Sequence, residues 1–348
     1  MATISKPTDL RKQSMTPTDT LNRPLKDLRI SVTDRCNFRC TYCMPREVFG
    51  REYKFLHRWA LLTFEEITRI ARIFVDLGVR KIRLTGGEPL LRRDLEKLIE
   101  MLAGLGDIDL TLTTNGSFPV ERVRSLKNAG LKRITVSLDS LDDEIFRKMN
   151  DVDFPVKRVL EWIDACAATG LTPVKINMVV KRGVNEESIV PMARYFHGTG
   201  HIVRFIEFMD VGNYNAWRLE DVVPAAEIVR KIHNELPLQP IGRTYRGEVA
   251  ERYRYVDGGG EIGIIASVTQ PFCGDCTRMR LSAEGKLYTC LFAVTGHDLR
   301  EMLRQGASDD ALKNLIVQIW RSRTDRYSEA RSENTRNLPR VEMSYIGG

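Results

Sequence analysis

Six short β-branched or leucine-rich runs lie between residues 28 and 208, with helical patterns between them. The runs are Leu28–Thr33, Lys81–Thr85, Leu110–Thr114, Arg133–Leu138, Val174–Val179 and Val203–Phe208. In the stretch TFEEITRIARIFVDLGV, Ile67, Ile70, Phe74 and Leu77 share one helical face, and Thr63 with Glu66 forms a capping box. Further helices are expected near 93–103, 119–129, 142–149, 155–168 and 186–197. Such alternation means βαβ units, a parallel sheet and right-handed crossovers. Two more repeats would complete an eight-unit barrel. The chain changes character near residue 240 instead, so the expected fold is α/β, an incomplete (βα)6 TIM-type barrel over residues 25–240. Residues 241–348 are expected to form a C-terminal domain docked on it, with short strands in ERYRYV, EIGIIASVT, MRLSA and KLYTCLF and a helix near 308–321. Residues 1–24 are polar, carry Pro7, Pro17 and Pro24, and read as a disordered extension. Asp9 and Asp19 argue against a targeting role.

In an α/β barrel, function gathers on the loops that follow the strands. The first strand runs into TDRCNFRCTYCMP (33–45), the second ends in LTGGEP (84–89), the third in TTNG (113–116) and the fourth in SLDS (137–140). Gly86 and Gly87 allow a close backbone approach, and Pro89 limits the turn. Each loop alone is a weak signal. Their register with a cysteine loop marks one end of the barrel as the site.

Six of the seven cysteines fall into two triplets. Cys36, Cys40 and Cys43 are spaced C-x3-C-x2-C, and Cys273, Cys276 and Cys290 are spaced C-x2-C-x13-C. Cys166 stands alone and reads as a buried helix residue. The chain has 348 residues, 43% of them hydrophobic and 28% charged, with no apolar run near the roughly 20 residues of a membrane span. The N-terminus lacks the apolar core of a signal peptide. A cytoplasmic setting follows, where thiols stay reduced and clustered cysteines read as metal ligands. A disulfide takes two thiols and a structural zinc four donors. His57 and His297, the nearest histidines, lack ligand spacing. A [4Fe–4S] cluster held by three thiolates leaves one iron open to another ligand, and two triplets imply two such clusters. The net charge of +7 favours an anionic partner without pointing to nucleic acid, and no membrane partner is expected.

With these motifs together the chain resembles a radical S-adenosylmethionine (SAM) enzyme. C-x3-C-x2-C with Tyr42 before the last cysteine is that superfamily's signature, and GGEP is its second hallmark. The stretches SVTDRCNFRCTYCMP and CGDCTRMRLSAEGKLYTCLF, with the terminal Gly347–Gly348, are similar to the molybdenum cofactor biosynthesis protein A family, the GTP 3′,8-cyclases. The resemblance covers about residues 25–348.

That resemblance implies two [4Fe–4S] clusters, on Cys36, Cys40 and Cys43 and on Cys273, Cys276 and Cys290, the second in the C-terminal domain. It implies that a 5′-deoxyadenosyl radical from SAM takes hydrogen from C3′ of GTP, whose C3′ radical adds to C8 and gives (8S)-3′,8-cyclo-7,8-dihydroguanosine 5′-triphosphate. It places GTP contacts at Arg29, Arg83, Thr113, Lys175, Arg204, Arg278, Met279 and Arg280, and SAM contacts at Tyr42, Gly87, Ser137 and Met209. It gives Gly347 and Gly348 a catalytic part as a tail reaching the site, with Arg340 travelling along. The implied partners are an electron donor of flavodoxin or ferredoxin type and, by pathway, a downstream cyclic pyranopterin monophosphate synthase. The oligomeric state stays open, a homodimer included. Fourteen arginines against two lysines after residue 240 suit bidentate phosphate contacts, although most arginines of any chain coat the surface. Arg278 and Arg280, one residue apart on a strand, face the same way. For the barrel-strand cations, structural ion pairs are the rival reading. A peptide-modifying radical SAM maturase is the rival enzyme, although its longer cysteine pattern does not match. A zinc-stapled basic module reading nucleic acid through RTYRGEVAERYRY (243–255) is the rival of another class.

Overall fold

The computed structural model describes residues 16–331 and 339–348. The six expected repeats are present. Strands β1 (Asp27–Ser31), β2 (Lys81–Thr85), β3 (Asp109–Thr114), β4 (Arg133–Ser137), β5 (Lys175–Val180) and β6 (Ile202–Glu207) pair in sequence order, all parallel. Between them lie α1 (Phe64–Asp76), α2 (Leu95–Ala103), α3 (Glu121–Asn128), α4 (Asp143–Asn150), α5 (Val156–Ala168) and α6 (Ile189–Phe196). The capping box of α1 forms as expected, Thr63 Oγ1 accepting from Glu66 N and Glu66 Oε2 from Thr63 N. Ile67, Ile70 and Phe74 of α1 are buried in one core with Leu28, Ile30, Ile82 and Leu84 of the strands, so the helical face packs on the outer side of the sheet. Cys166 is fully buried in that core, as its helical setting suggested.

The C-terminal region joins this array by extending its sheet at both edges. It begins in sequence after α7 (Ala225–Glu235), a helix the sequence reading missed, with β7 (Leu238–Pro240), β8 (Glu251–Tyr255), β9 (Glu261–Ile265), β10 (Arg278–Leu281), β11 (Lys286–Tyr288) and β12 (His297–Asp298). One twelve-stranded sheet runs β12-β11-β10-β1-β2-β3-β4-β5-β6-β9-β8-β7. β10 joins β1 and β9 joins β6, both parallel. Eight parallel strands are therefore present, yet β9 and β10 are not neighbours, and the barrel stays open between them. Helices α8 (Arg300–Arg304) and α9 (Asp309–Arg321) follow, and a helical turn, Met343–Ile346, stands just before the final glycines.

Residues 1–15 lie outside the described residues, but residues 16–24 are fixed, which corrects the reading of 1–24 as disordered. Arg23 is fully buried, with Nε 2.5 Å from Asp19 Oδ2 and Nη1 donating to the carbonyls of Cys273 and Asp325 at 2.8 and 2.7 Å. Trp320 Nε1 donates to Arg23 O at 3.0 Å, and Arg323 Nη1 reaches Asp19 Oδ2 at 3.3 Å. The sequence signal for this strap is weak because its partners lie about 300 positions away.

Candidate functional site

All six triplet cysteines line one cavity, bounded by the strand ends and closed on the far side by the C-terminal region. The first triplet sits on the loop after β1. Phe38 N donates to Cys36 Sγ at 3.4 Å, and Arg39 N and Thr41 N bond the carbonyls of Asn150 and Met149, fixing the loop against the end of α4. The GGEP glycines serve this packing. Gly87 N donates to Thr33 O and Glu88 N to Arg35 O, and a Cβ on Gly87 would lie 2.5 Å from the carbonyl carbon of Arg35. The close approach is thus of loop to cysteine loop. Glu88, buried, accepts from Asn115 N, Leu90 N and Thr114 Oγ1, locking the second strand end to the third. Burial pushes its carboxyl up to about 7 despite those donors.

The two thiol sets differ electrically. Burial drives Cys36 up to about 12 and lifts Cys40 and Cys43 far above the usual thiol range, with Glu88 and Asp139 adding repulsion at Cys36 and Cys40. At Cys276 burial again disfavours the thiolate. There the cations Arg278 and Arg323 win and hold it down to about 6. Arg278 Nη2 lies 3.1 Å from its Sγ, while Cys290 stays pushed up to about 12 by burial. Among the described residues no three His, Cys, Asp or Glu side chains converge on a point that a single metal ion would occupy. A structural zinc takes four protein donors, whereas each triplet supplies three thiols, the donor type that also holds iron–sulfur clusters.

Between the triplets the cavity wall is cationic. Arg280 and Arg83 are the register partners of Arg29 on either side, so three arginines stand in one row across adjacent parallel strands. Arg204 and Arg278 line the same cavity. Burial, with repulsion from neighbours in the row, lowers Arg29 and Arg83 to about 9 and puts Arg280 well below its usual value, while burial and Arg133 lower Arg204 to about 10. Arg83 Nη1 donates to Thr113 Oγ1 at 2.7 Å and Thr135 Oγ1 at 3.2 Å, and Arg204 Nη2 to Thr135 at 3.3 Å. Arg204 Nε and Arg278 Nη1 are buried without a hydrogen-bond partner. None of the five forms an ion pair with a carboxylate among the described residues, against the rival reading of structural pairs. A smaller cavity shares Arg29, Arg83, Arg204 and Arg278 and adds Lys175 and Lys81. Sequence reading missed Lys81, whose place at the start of β2 was the available signal.

Tyr42, Gly87, Ser137, Met209, Thr113 and Gly348 also line the main cavity. Tyr42 Oη donates to Asp139 Oδ2 at 2.8 Å, and burial raises Asp139, from the SLDS loop, to about 6. Two expected contacts fall elsewhere. Met279 is fully buried in the core, because alternation along β10 turns it away from Arg278 and Arg280. Arg340 is not on the cavity wall: its Nη1 donates to the carbonyl of Asp210. Gly347 O accepts from Arg280 Nη1.

Comparison with known proteins agrees with this geometry. Residues 30–196 match the Radical SAM superfamily and residues 201–329 the Molybdenum Cofactor Synthesis C family. The chain is 55% identical to the GTP 3′,8-cyclase of Acidothermus cellulolyticus, covering 95% of this chain and 98% of that one. It is 49% identical to the GTP 3′,8-cyclase of Staphylococcus carnosus at the same coverage. Streptococcus suis SuiB bound to S-adenosylmethionine superposes with a TM-score of 0.62 at 17% identity, covering 90% of this chain and 72% of that one, a likeness of fold. With two thiol triplets and a row of unpaired arginines in one cavity, and with relatives matched along almost their whole length, this chain belongs to the GTP 3′,8-cyclase family of radical SAM proteins.

Proposed function

We propose that the chain converts GTP to (8S)-3′,8-cyclo-7,8-dihydroguanosine 5′-triphosphate, an early step of molybdenum cofactor biosynthesis. The observation that carries this reading is the arginine row between the triplets. Five arginines that line one cavity, three of them buried, and that lack carboxylate partners among the described residues fit a polyanion that supplies the missing charge. Arg29, Arg83, Arg204, Arg278 and Arg280 hold the triphosphate, with Lys175 and Lys81 beyond them. Thr113 orients Arg83 and faces the nucleotide with it. Cys36, Cys40 and Cys43 would hold one [4Fe–4S] cluster, and Cys273, Cys276 and Cys290 would hold a second, able to bind the guanine end of the substrate. Tyr42, Gly87, Ser137 and Met209 surround SAM.

The first cluster with SAM supplies, when bound, the carbon radical that removes a hydrogen atom from the substrate. The protein's part is to place and to exclude. The Tyr42–Asp139 hydrogen bond ties the first cysteine loop to the fourth strand end. Glu88 ties the second strand end to the third. The terminal Gly347–Gly348 fills the remaining side of the cavity beside Arg280. A cytoplasmic setting suits reduced thiols, and no helix among the described residues is long and apolar enough to cross a membrane. The electron donor is of flavodoxin or ferredoxin type, and the product passes to cyclic pyranopterin monophosphate synthase.

The test is anaerobic incubation with GTP, SAM and dithionite, read by mass spectrometry, on brown protein carrying about eight irons per chain. Replacing Cys36, Cys40 or Cys43 with Ala should abolish SAM cleavage. Replacing Cys273, Cys276 or Cys290 should leave uncoupled cleavage and remove cyclisation. Equal loss of SAM cleavage in both sets would overturn the division of labour, and absence of the cyclic product from the unaltered enzyme would overturn the function.

A further inference from the structure

Asp210 directly follows Met209 on the loop that leaves β6, and it is 2% exposed. One carboxylate there gathers groups from a distant part of the chain. Oδ2 accepts from Tyr327 Oη at 2.6 Å, and Oδ1 accepts from Arg331 Nε at 3.0 Å. Arg340 Nη1 stands 3.5 Å from Oδ2 and donates to the Asp210 carbonyl. The Tyr327 ring stacks on Phe292 with centroids 4.2 Å apart, and the Arg340 guanidinium lies 4.9 Å from the Tyr327 ring centre. Phe292 N in turn donates to Cys290 Sγ at 3.5 Å.

A second grip lies on the same loop. Asn213 Oδ1 accepts from Arg340 N at 2.9 Å, and its Nδ2 donates to Arg340 O at 2.5 Å and to Glu342 Oε1 at 2.8 Å. Asn213 N also donates to Glu342 Oε1, at 2.9 Å. Gly212, at φ +65°, leaves the Glu342 carboxylate a space that a Cβ would fill.

We propose that Asp210 and Asn213 are positioning residues that seat the C-terminal tail in the cavity, and that Met209 couples this seating to SAM. The physical need is plain. Two successive glycines carry the highest ordering entropy, so neighbours must hold them in place. Arg280 holds the Gly347 carbonyl, and just upstream Arg340 and Glu342 are held by the loop after β6. The seat itself stands on these contacts alone. The coupling arm rests on the functional reading above, because it requires SAM beside Met209.

The test is hydrogen–deuterium exchange on the cluster-loaded enzyme, following peptides from 339–348, with product and 5′-deoxyadenosine measured in parallel. Gly347 N bonds Met343 O at 2.9 Å, so a seated tail is protected there. In Asp210→Asn and in the milder Asn213→Ala, tail exchange should rise about tenfold or more, the loss of a charge-assisted hydrogen bond amounting to roughly 10- to 150-fold. Iron content and exchange in β1–β6 should stay as in wild type. SAM cleavage should persist, with less cyclic product per 5′-deoxyadenosine. SAM added to wild type should slow tail exchange, and in Asp210→Asn it should not. Tail exchange unchanged in Asn213→Ala overturns the seat. A wild-type tail indifferent to SAM overturns the coupling. Loss of the function reading would show instead as no cyclic product from wild type, with the exchange results intact.

Discussion

Arg280 donates from Nη1 to the carbonyl oxygen of Gly347, so one buried guanidinium belongs both to the arginine row and to the seat of the chain's end. Burial and the neighbouring Arg29 and Arg278 disfavour its charge, and a polyanion in the cavity would restore it. Losing one charge-assisted contact costs about 1.5–3 kcal/mol, roughly 10- to 150-fold in affinity. Calorimetry on Arg280→Ala should therefore show GTP binding weakened by that factor, with iron content and SAM binding kept. Arg280→Lys should recover only part, since an ammonium lacks the fork. Unchanged GTP affinity in Arg280→Ala would remove this residue from the substrate site.

Gly347 adopts φ +79°, where a side chain is strained, and a Cβ there would enter the space of Thr85 Cγ2 at the end of β2. Gly348 is tight as well, its Cβ position 2.8 Å from Met343 Sδ. Gly347→Ala should leave folding, both clusters and SAM binding intact while lowering cyclic product per 5′-deoxyadenosine. The same ratio in both proteins would show that the tail has no part in the reaction.

Burial, with repulsion from Arg204, Arg133 and Lys81, holds the Lys175 ammonium down to about 7. Below that pH it is charged before ligand arrives. Above it, binding a polyanion must draw a proton onto it, so GTP affinity should fall as pH rises through 7 toward 9, by up to about tenfold per unit for one proton. Calorimetry at pH 8 in two buffers of different ionisation enthalpy measures that uptake. Lys175→Gln should take up fewer protons, and equal uptake by the two proteins would refute the assignment.

Asp19 sits under two buried guanidiniums, those of Arg23 and Arg323, and also accepts from the backbone N–H of Leu21 and Arg23. Removing one partner of a buried pair costs about 3–5 kcal/mol, because the other charge is left without compensation. Asp19→Ala should lower the urea midpoint. Since Arg23 and Arg323 hold the carbonyls of Cys273 and Cys276, the second cluster should be lost first, taking iron from about eight toward about four per chain. A variant with full iron and an unchanged midpoint would show that the strap bears no load.

The sequence alone determined whatever rests on local pattern. Six parallel strands fell within one or two residues of their expected bounds, since period-two and period-3.6 burial is written into neighbouring residues. The Thr63–Glu66 box was readable because both halves lie within one turn. The first cysteine triplet was readable because its members share the one loop after β1, whereas β10 and β11 separate Cys290 from Cys273 and Cys276. Tertiary structure decided the rest. The chain does not announce that β9 and β10 extend the same sheet at opposite edges, because strands of that length fit any edge. Residues 16–24 looked disordered because their burial depends on Cys273, Trp320 and Arg323. Arg340 read as a site residue, yet its partner Asp210 stands 130 positions earlier. Backbone periodicity reports only what lies within a few residues, whereas a buried charge is settled by whichever opposite group the folded chain brings to it.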